Sequence, residues 1–236
     1  MSITHRDPTG TPLNTAEVRA PLPAGRGAAV ALTIAASLFV LYPAIRPFSD
    51  ETSLQGAAAF ASTSWLVAHT LAMAAFLLLT LGLLGLHLRL QDTPAGHRSL
   101  RAFAISWVGV GLTLAFYGVE TFGLAAIGRE AHDRGDPSLL AIAETVRLGP
   151  GIVLLAAGLL LLAAGAAMFA TAIWKAQDRS RWSGIPLAVG LALYLPQFLA
   201  PQPVRIGHGA LMALGCLLLV RPATTAASHT SEPRNP

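Results

Sequence analysis

The feature that most constrains this fold is the alternation of long uncharged stretches with short clusters holding almost all the charge. Only 12% of the residues are charged and 53% are hydrophobic, so charged side chains are too few to cover a water-exposed surface. A helix needs about 20 apolar residues to cross a hydrocarbon core. The sequence therefore predicts an all-α integral membrane protein, a bundle of six transmembrane helices at about 28–45, 66–88, 102–127, 148–174, 183–200 and 204–220.

These runs divide the chain into three parts. A polar leader, residues 1–27, is too long and too mixed in charge for a secretory signal, so we expect an uncleaved, disordered segment. The transmembrane domain occupies 28–221, and the tail 222–236, rich in Thr, Ser, Ala and Pro, is also expected to be disordered. The fifth span is the weakest of the six because Pro186 and Pro196 interrupt it, although transmembrane helices tolerate proline.

The distribution of basic residues predicts the orientation. With the N-terminus inside, eleven of the sixteen lie on the cytoplasmic side, namely Arg6, Arg19, Arg26, Arg89, Arg98, Arg101, Lys175, Arg179, Arg181, Arg221 and Arg234. The positive-inside rule thus places both termini in the cytoplasm and the protein in the cytoplasmic membrane. The two longer outer loops, 48–64 and 129–147, then hold acidic residues such as Glu51 and Asp136.

Several classes of function are excluded. The net charge of +4 comes from scattered residues rather than a basic stripe, so no nucleic-acid partner is expected. The single cysteine, Cys216, lies in an apolar run and allows no disulfide or metal-thiolate cluster. Walker, HExxH and GxSxG motifs are absent from the sequence, which predicts no metal site and places any chemistry within the bundle. The partners expected are the lipid bilayer and a lipophilic small molecule, and the pattern does not define an oligomeric state.

Glycines recur every seven residues along the fourth span. Gly151, Gly158 and Gly165 fall on one stripe of the helix, where a neighbouring backbone can approach closely. The stripe predicts a central position for this helix.

Polar residues inside the spans are the candidates for chemistry. Glu120 stands within the third span, where a carboxylate is costly, and Tyr117 shares its helical face. His69 lies near the start of the second span, at about the same height across the membrane as Glu120. His208 lies near the start of the sixth span, three residues after Arg205. We expect one pocket toward the outer leaflet that contains His69, Tyr117, Glu120 and His208, with Arg147 and Arg205 at its rim. The structural alternative is that Glu120 bridges to Arg147 and that each histidine reaches water or headgroups.

Three functions fit these candidates. The first is a cofactor-independent cyclase or isomerase for a lipophilic substrate such as an isoprenoid. In it Glu120, His69 and Tyr117 are catalytic, Glu120 as the general acid, and His208, Arg147 and Arg205 bind the substrate. The second is a redox protein, quinone-linked or carrying a haem b held by His69 and His208, with Arg205 facing a propionate. The third is a small carrier or ligand-binding membrane protein in which Glu120 senses protons.

Overall fold

The computed structural model describes residues 24–176 and 181–220, and this part of the chain is helical without strands. The helices are α1 (Ala24–Ile45), α2 (Leu54–Ala61), α3 (Thr63–Leu90), α4 (Gly96–Arg134), α5 (Leu140–Leu148), α6 (Gly151–Lys175), α7 (Ile185–Ala192) and α8 (Gln202–Val220). Two short 3₁₀ turns accompany them, at Pro137–Leu139 and Pro196–Leu199. Most of the predicted leader, residues 1–23, and the whole predicted tail lie outside the described residues.

Five helices among the described residues are long and apolar enough to cross a membrane: α1, α3, α4, α6 and α8. They correspond to five of the six predicted spans, so the predictions of an all-α fold and of transmembrane helices are confirmed. Four of them begin two to six residues before the predicted run, whereas α6 begins three residues after it. Residues 24–27, assigned to the leader from the sequence, belong to the first turn of α1. This architecture is that of a multi-pass membrane protein in a lipid bilayer.

The fifth predicted span is not one continuous helix. Pro186 lies in the first turn of α7, where its missing N–H costs no hydrogen bond, and α7 ends after eight residues. Pro196 then begins a 3₁₀ turn that ends at Leu199. With a rise of about 1.5 Å per residue, α7 is only about 12 Å long and too short to cross a hydrocarbon core alone.

This broken segment nevertheless runs along α8. A side chain added at Gly215 would collide with Leu187, and one added at Gly190 would meet Met212, so α7 and α8 pack antiparallel. Gln202, where α8 begins, donates from Nε2 to the carbonyl of Pro43 near the end of α1, at 3.4 Å. The segment therefore returns the chain to the end of the bundle where α1 finishes.

The long helices and α7 contact one another in a closed ring, in the order α1, α3, α4, α6, α7, α8 and back to α1. Buried apolar side chains fill the interior, among them Phe39, Phe76, Leu79, Leu162 and Phe169. The glycine stripe of α6 faces α4, as the spacing predicts: a Cβ at Gly158 would lie 2.8 Å from the carbonyl oxygen of Gly109. The predicted central position is wrong, however, because α6 exposes Val153 and Leu160 on its other face and forms part of the wall.

One end of the bundle is covered by a helical cap. At 39 residues α4 is about 58 Å long, so it extends well past a hydrocarbon core of about 30 Å. Its extension packs with α2 and α5 around a second apolar core that includes Phe60, Trp65 and Leu124. The two segments expected as outer loops are thus largely helical. We call this end, where α2 and α5 cover α4, the capped end.

Candidate functional site

A cavity of about 710 Å³ lies at the capped end. Helices α1, α4, α5, α6 and α8 contribute to its wall, together with the loop after α1 and the 3₁₀ turn before α8. Its charged lining consists of Arg46, Asp50, Glu51, Glu120, Arg147 and Arg205. Its apolar and aromatic lining includes Tyr42, Phe48, Phe116, Ile152, Leu155, Leu195 and Phe198. A cavity with this composition suits a molecule with a long apolar part and a polar group.

Four of the charged side chains form one chain of ion pairs. Arg46 Nη2 lies 2.7 Å from Oε1 of Glu51, and Arg147 Nη1 donates to the other oxygen of the same carboxylate. Arg147 Nε also lies 3.4 Å from Oε1 of Glu120. Arg46 and Glu120 are the deepest members, with 5% and 8% of their surface exposed. The contact between Arg147 and Glu120 is the bridge that the structural alternative predicts. It joins α4 to the short helix α5.

The two members of this chain outside the long helices remain charged at neutral pH. Burial acts to raise the pKa of Glu51, but the guanidinium groups of Arg147 and Arg46 outweigh it and hold that pKa below its usual value. Burial acts to lower the pKa of Arg147, but the carboxylates of Glu120 and Glu51 raise it. Each pairing thus favours the ionised form of both partners.

Arg205 is held differently. Its Nε donates to the carbonyl of Ala200 at 2.7 Å, and its Nη2 donates to the carbonyl of Phe198. Its guanidinium also lies 5.0 Å from the ring centroid of Phe48, and the guanidinium of Arg46 lies 4.8 Å from the same centroid. Two cationic groups therefore share one aromatic ring at the cavity wall.

The structure brings together three of the six residues predicted for the pocket. Glu120, Arg147 and Arg205 line the cavity. His69 and Tyr117 do not; both are buried behind Tyr42, whose ring centroid lies 5.6 Å from that of His69 and 6.4 Å from that of Tyr117. Tyr42, which does line the cavity, therefore separates these two residues from it.

His69 and His208 each bond to a backbone carbonyl. His69 Nδ1 donates to Trp65 at 2.8 Å, and His208 Nε2 donates to Gly190 at 2.7 Å. A continuous series of side-chain contacts joins the two rings. His69 contacts Tyr117, whose hydroxyl lies 3.3 Å from that of Tyr194, and the Tyr194 ring lies 5.1 Å from that of His208. The structure does not bring the two histidines to the cavity: neither lines it, and their rings contact Tyr42 and Tyr194 instead.

Sequence reasoning missed Tyr42, Arg46, Phe48 and Glu51 as members of the site. One signal was present: Arg46, Arg147 and Arg205 are three of the five basic residues that the predicted orientation places on the outer side. An exception to the positive-inside rule needs another reason, and here three of the five exceptions line one cavity. For Tyr42 and Phe48 the sequence carries no comparable signal.

The pair of Glu51 and Arg147 also lines a second cavity of about 420 Å³, on the side of α2 and α5. Phe60, Leu140 and Ala143 contribute to its apolar wall. Because the same two side chains belong to both linings, the ion pair stands between the two spaces.

Comparison of the chain with family models, with curated proteins and with solved structures finds no match. The interpretation of the site therefore rests on its own geometry. Within the described ranges, 24–176 and 181–220, no group of three or more His, Cys, Asp or Glu side chains is placed to hold a metal ion. Cys216 is a free thiol buried in the helical core.

Proposed function

We propose that this protein is a membrane-embedded acid/base enzyme of the cyclase or isomerase type that acts, without a cofactor, on a lipophilic molecule bound in the cavity at the capped end. The observation that carries the proposal is the position of Glu120. Its carboxylate lines a cavity whose other walls include Phe116, Ile152 and Leu155. An acid held against an apolar ligand and away from bulk water is the arrangement that proton transfer to carbon requires.

The two carboxylate oxygens of Glu120 differ. Oε1 faces Arg147 Nε at 3.4 Å, whereas no ion pair among the described residues reaches Oε2. In the proposed reaction Oε2 carries the proton to one carbon of a double bond, which leaves a cationic carbon nearby. A proton lost from a neighbouring carbon then returns to the carboxylate, so atoms and charge balance and the product is an isomer of the substrate. The rings of Tyr42, Phe116 and Phe198 line the same space and would stabilise the cation.

His69 and Tyr117, predicted from the sequence as catalytic residues, are assigned a positioning role in this proposal. Both pack against Tyr42, and the hydroxyl of Tyr117 is close to that of Tyr194. They would hold Tyr42 at the cavity wall rather than touch the substrate.

The membrane arrangement that goes with this function has six crossings, both termini in the cytoplasm and the capped end outside. Five of the crossings are the long helices. The remaining one, fifth along the chain, would be formed by α7 and the following 3₁₀ turn, a broken segment that packs along α8. The excess of basic residues at the opposite end supports this orientation and the cytoplasmic membrane as the location.

The haem alternative is less well supported by the geometry. His69 and His208 each use one ring nitrogen on a backbone carbonyl, and the hydroxyl pair of Tyr117 and Tyr194 stands in the contact series that joins them. A haem bound by both histidines would have to displace these tyrosines. A Soret band in purified protein that is lost in both His69→Ala and His208→Ala would favour this redox function instead.

The test of the proposal compares Glu120→Gln with Glu130→Gln in native membranes. Glu130 is an exposed residue of the same helix, paired with Arg134, and serves as the matched control. We expect Glu120→Gln to lower conversion of unsaturated isoprenoid substrates by a factor of about 10² to 10⁴, and Glu130→Gln to leave it unchanged. Conversion by Glu120→Gln at the rate of the unsubstituted protein, with normal expression, would rule out Glu120 as the acid, and absence of conversion by the unsubstituted protein would rule out the enzyme. Proton-dependent uptake without conversion would identify a carrier.

A further inference from the structure

We propose that the molecule bound in the cavity is an amphiphile with an acidic headgroup, a phosphate or a carboxylate, held by Arg205 together with Arg46. This inference rests on the proposed function and names its substrate class. The apolar part of the ligand then lies against Phe116, Leu155 and Leu195, within reach of Glu120. Arginine is suited to such headgroups because its planar fork matches the oxygens of phosphate and carboxylate.

The first step of the argument is charge. Along the chain from Arg46 through Glu51 and Arg147 to Glu120, two guanidinium groups alternate with two carboxyl groups. This chain is balanced when Glu120 is ionised, and it carries one net positive charge when Glu120 holds the proton of the proposed reaction. Among the described residues no carboxylate forms an ion pair with Arg205, whose side chain donates to two backbone carbonyls. The cation of Arg205 is therefore not compensated by a direct partner.

Asp50 is the remaining carboxylate of the lining, and it is engaged within its own turn. Its Oδ1 accepts from the backbone N–H of Thr52 at 3.1 Å and from the Thr52 hydroxyl at 2.7 Å. Asp50 is also exposed, so water screens its charge more than that of the buried Arg46. Its hydrogen bonds stay within its own turn and do not reach Arg205.

The second step is the approach of two cations. Arg46 and Arg205 both lie about 5 Å from the centroid of Phe48, at 4.8 Å and 5.0 Å. Like charges held on one ring repel each other, and Arg46 is almost completely buried. Glu51 is paired with Arg46, but no carboxylate among the described residues is paired with Arg205, so part of this repulsion remains. An anionic headgroup between the two guanidinium groups would offset it. A cationic headgroup at the same place would add to it.

The third step is access from the bilayer. Helix α7 ends at Ala192, so at the level of the cavity the wall between α6 and α8 is formed by the 3₁₀ turn Pro196–Leu199. Leu148 and Leu199 line the cavity and are also 67% and 93% exposed. Two large apolar side chains that face both the cavity and the surroundings mark a lateral opening to lipid. A ligand that enters there keeps its chain in an apolar medium throughout.

The test uses the full-length protein in nanodiscs of phosphatidylcholine and a series of ligands that share one chain. Dodecyl phosphate and dodecanoate carry acidic headgroups, dodecanol a neutral one and dodecyltrimethylammonium a cationic one; inorganic phosphate lacks the chain. Titration calorimetry should show that at least one acidic amphiphile binds tenfold or more tightly than dodecanol, and that the ammonium compound and inorganic phosphate bind weakly. Comparison of dodecyl phosphate with dodecanoate identifies the headgroup.

Equal affinity for dodecanol and the acidic amphiphiles would overturn the inference, and so would tight binding of inorganic phosphate alone. These measurements need no variant, so they decide the question even if a substitution disturbs folding.

Variants locate the headgroup. Arg205→Gln should weaken binding of the acidic amphiphile at least tenfold and leave dodecanol binding unchanged. Arg101→Gln, at the opposite end of α4, is the matched control and should have no effect. Unchanged binding by Arg205→Gln contradicts the inference. Glu120→Gln should retain acidic-amphiphile binding while losing conversion, so a failure of the headgroup inference and a failure of the proposed enzyme give different results.

Discussion

Arg147 pairs with Glu51 across 96 positions of the chain. The contact fastens the last turn of α5 to the loop that follows α1. Glu51 also accepts a hydrogen bond from Arg46 at 2.7 Å, so one carboxylate joins the end of α1, the loop that follows it and the cap helix α5. The cap and the main cavity are therefore held by the same group.

Replacement of Glu51 by glutamine should destabilise the protein. It leaves two guanidinium groups without their shared carboxylate, and that of Arg46 is almost completely buried. We expect a loss of about 2 kcal/mol, since an unpaired buried charge costs more than the pair contributed. Thermal unfolding in detergent would measure it. Glu130→Gln, which breaks only the exposed pair with Arg134, should change stability by less than about 0.5 kcal/mol; equal effects of the two substitutions would contradict the prediction.

Stability should also depend on pH through Glu51. Its folded pKa lies below the ordinary value of 4.5, because Arg147 and Arg46 outweigh the effect of burial. A lowered folded pKa means that the stabilisation is fully present above pH 4.5 and is lost as the pH falls through the folded value. Melting temperature measured from pH 7 downward should thus fall more steeply below that point in the unsubstituted protein than in Glu51→Gln. Parallel curves would show that Glu51 does not make this contribution.

The glycine contact between α4 and α6 should tolerate no added carbon. A Cβ at Gly158 would lie 2.8 Å from both the Gly109 carbonyl oxygen and the Thr113 backbone nitrogen, so Gly158→Ala forces two helices apart. We expect a loss of about 2 kcal/mol, in the range of overpacked cores. Gly111→Ala is the control, since nothing lies within 4 Å of a Cβ there. Chemical denaturation of both variants would check the difference, and a Gly158→Ala protein as stable as Gly111→Ala would exclude tight packing at this contact.

The apolar runs predicted five helices well because hydropathy reports contact with lipid. The helix ends were predicted wrongly where the chain leaves the lipid. Helix α4 continues to Arg134, seven residues past the predicted end, because its extension packs against the cap through Gly128, beside Phe60. It stops at Gly135, whose φ of 63° is the left-handed conformation typical of a helix C-terminus. A hydropathy threshold detects neither the packing of one helix against another in the same protein nor the glycine that ends a helix.

The height of a side chain was easier to predict than its direction. Glu120, Arg147 and Arg205 were predicted for one pocket, the two arginines at its rim, and all three line one cavity. His69 shares the height but faces Trp65 and Tyr42, since the neighbours around α3 decide which side of that helix is enclosed. A single sequence contains the rise per residue but not the order of helices around the ring. For the same reason the role of Arg46 was missed.

Cysteine labelling should place the capped end outside the cell. In a Cys216→Ala background, Asp133→Cys lies at the capped end of α4 and Asp92→Cys lies between α3 and α4 at the opposite end; both positions are exposed. An impermeant maleimide on intact cells should label Asp133→Cys, and should label Asp92→Cys only after permeabilisation, because the basic residues near Asp92 favour the cytoplasm. The reverse pattern would place the cavity on the cytoplasmic side and remove the outer leaflet as its source of ligand.

The broken segment needs a separate readout: a C-terminal tag stays protected from external protease if residues 185–199 complete a sixth crossing, and is digested if they turn back.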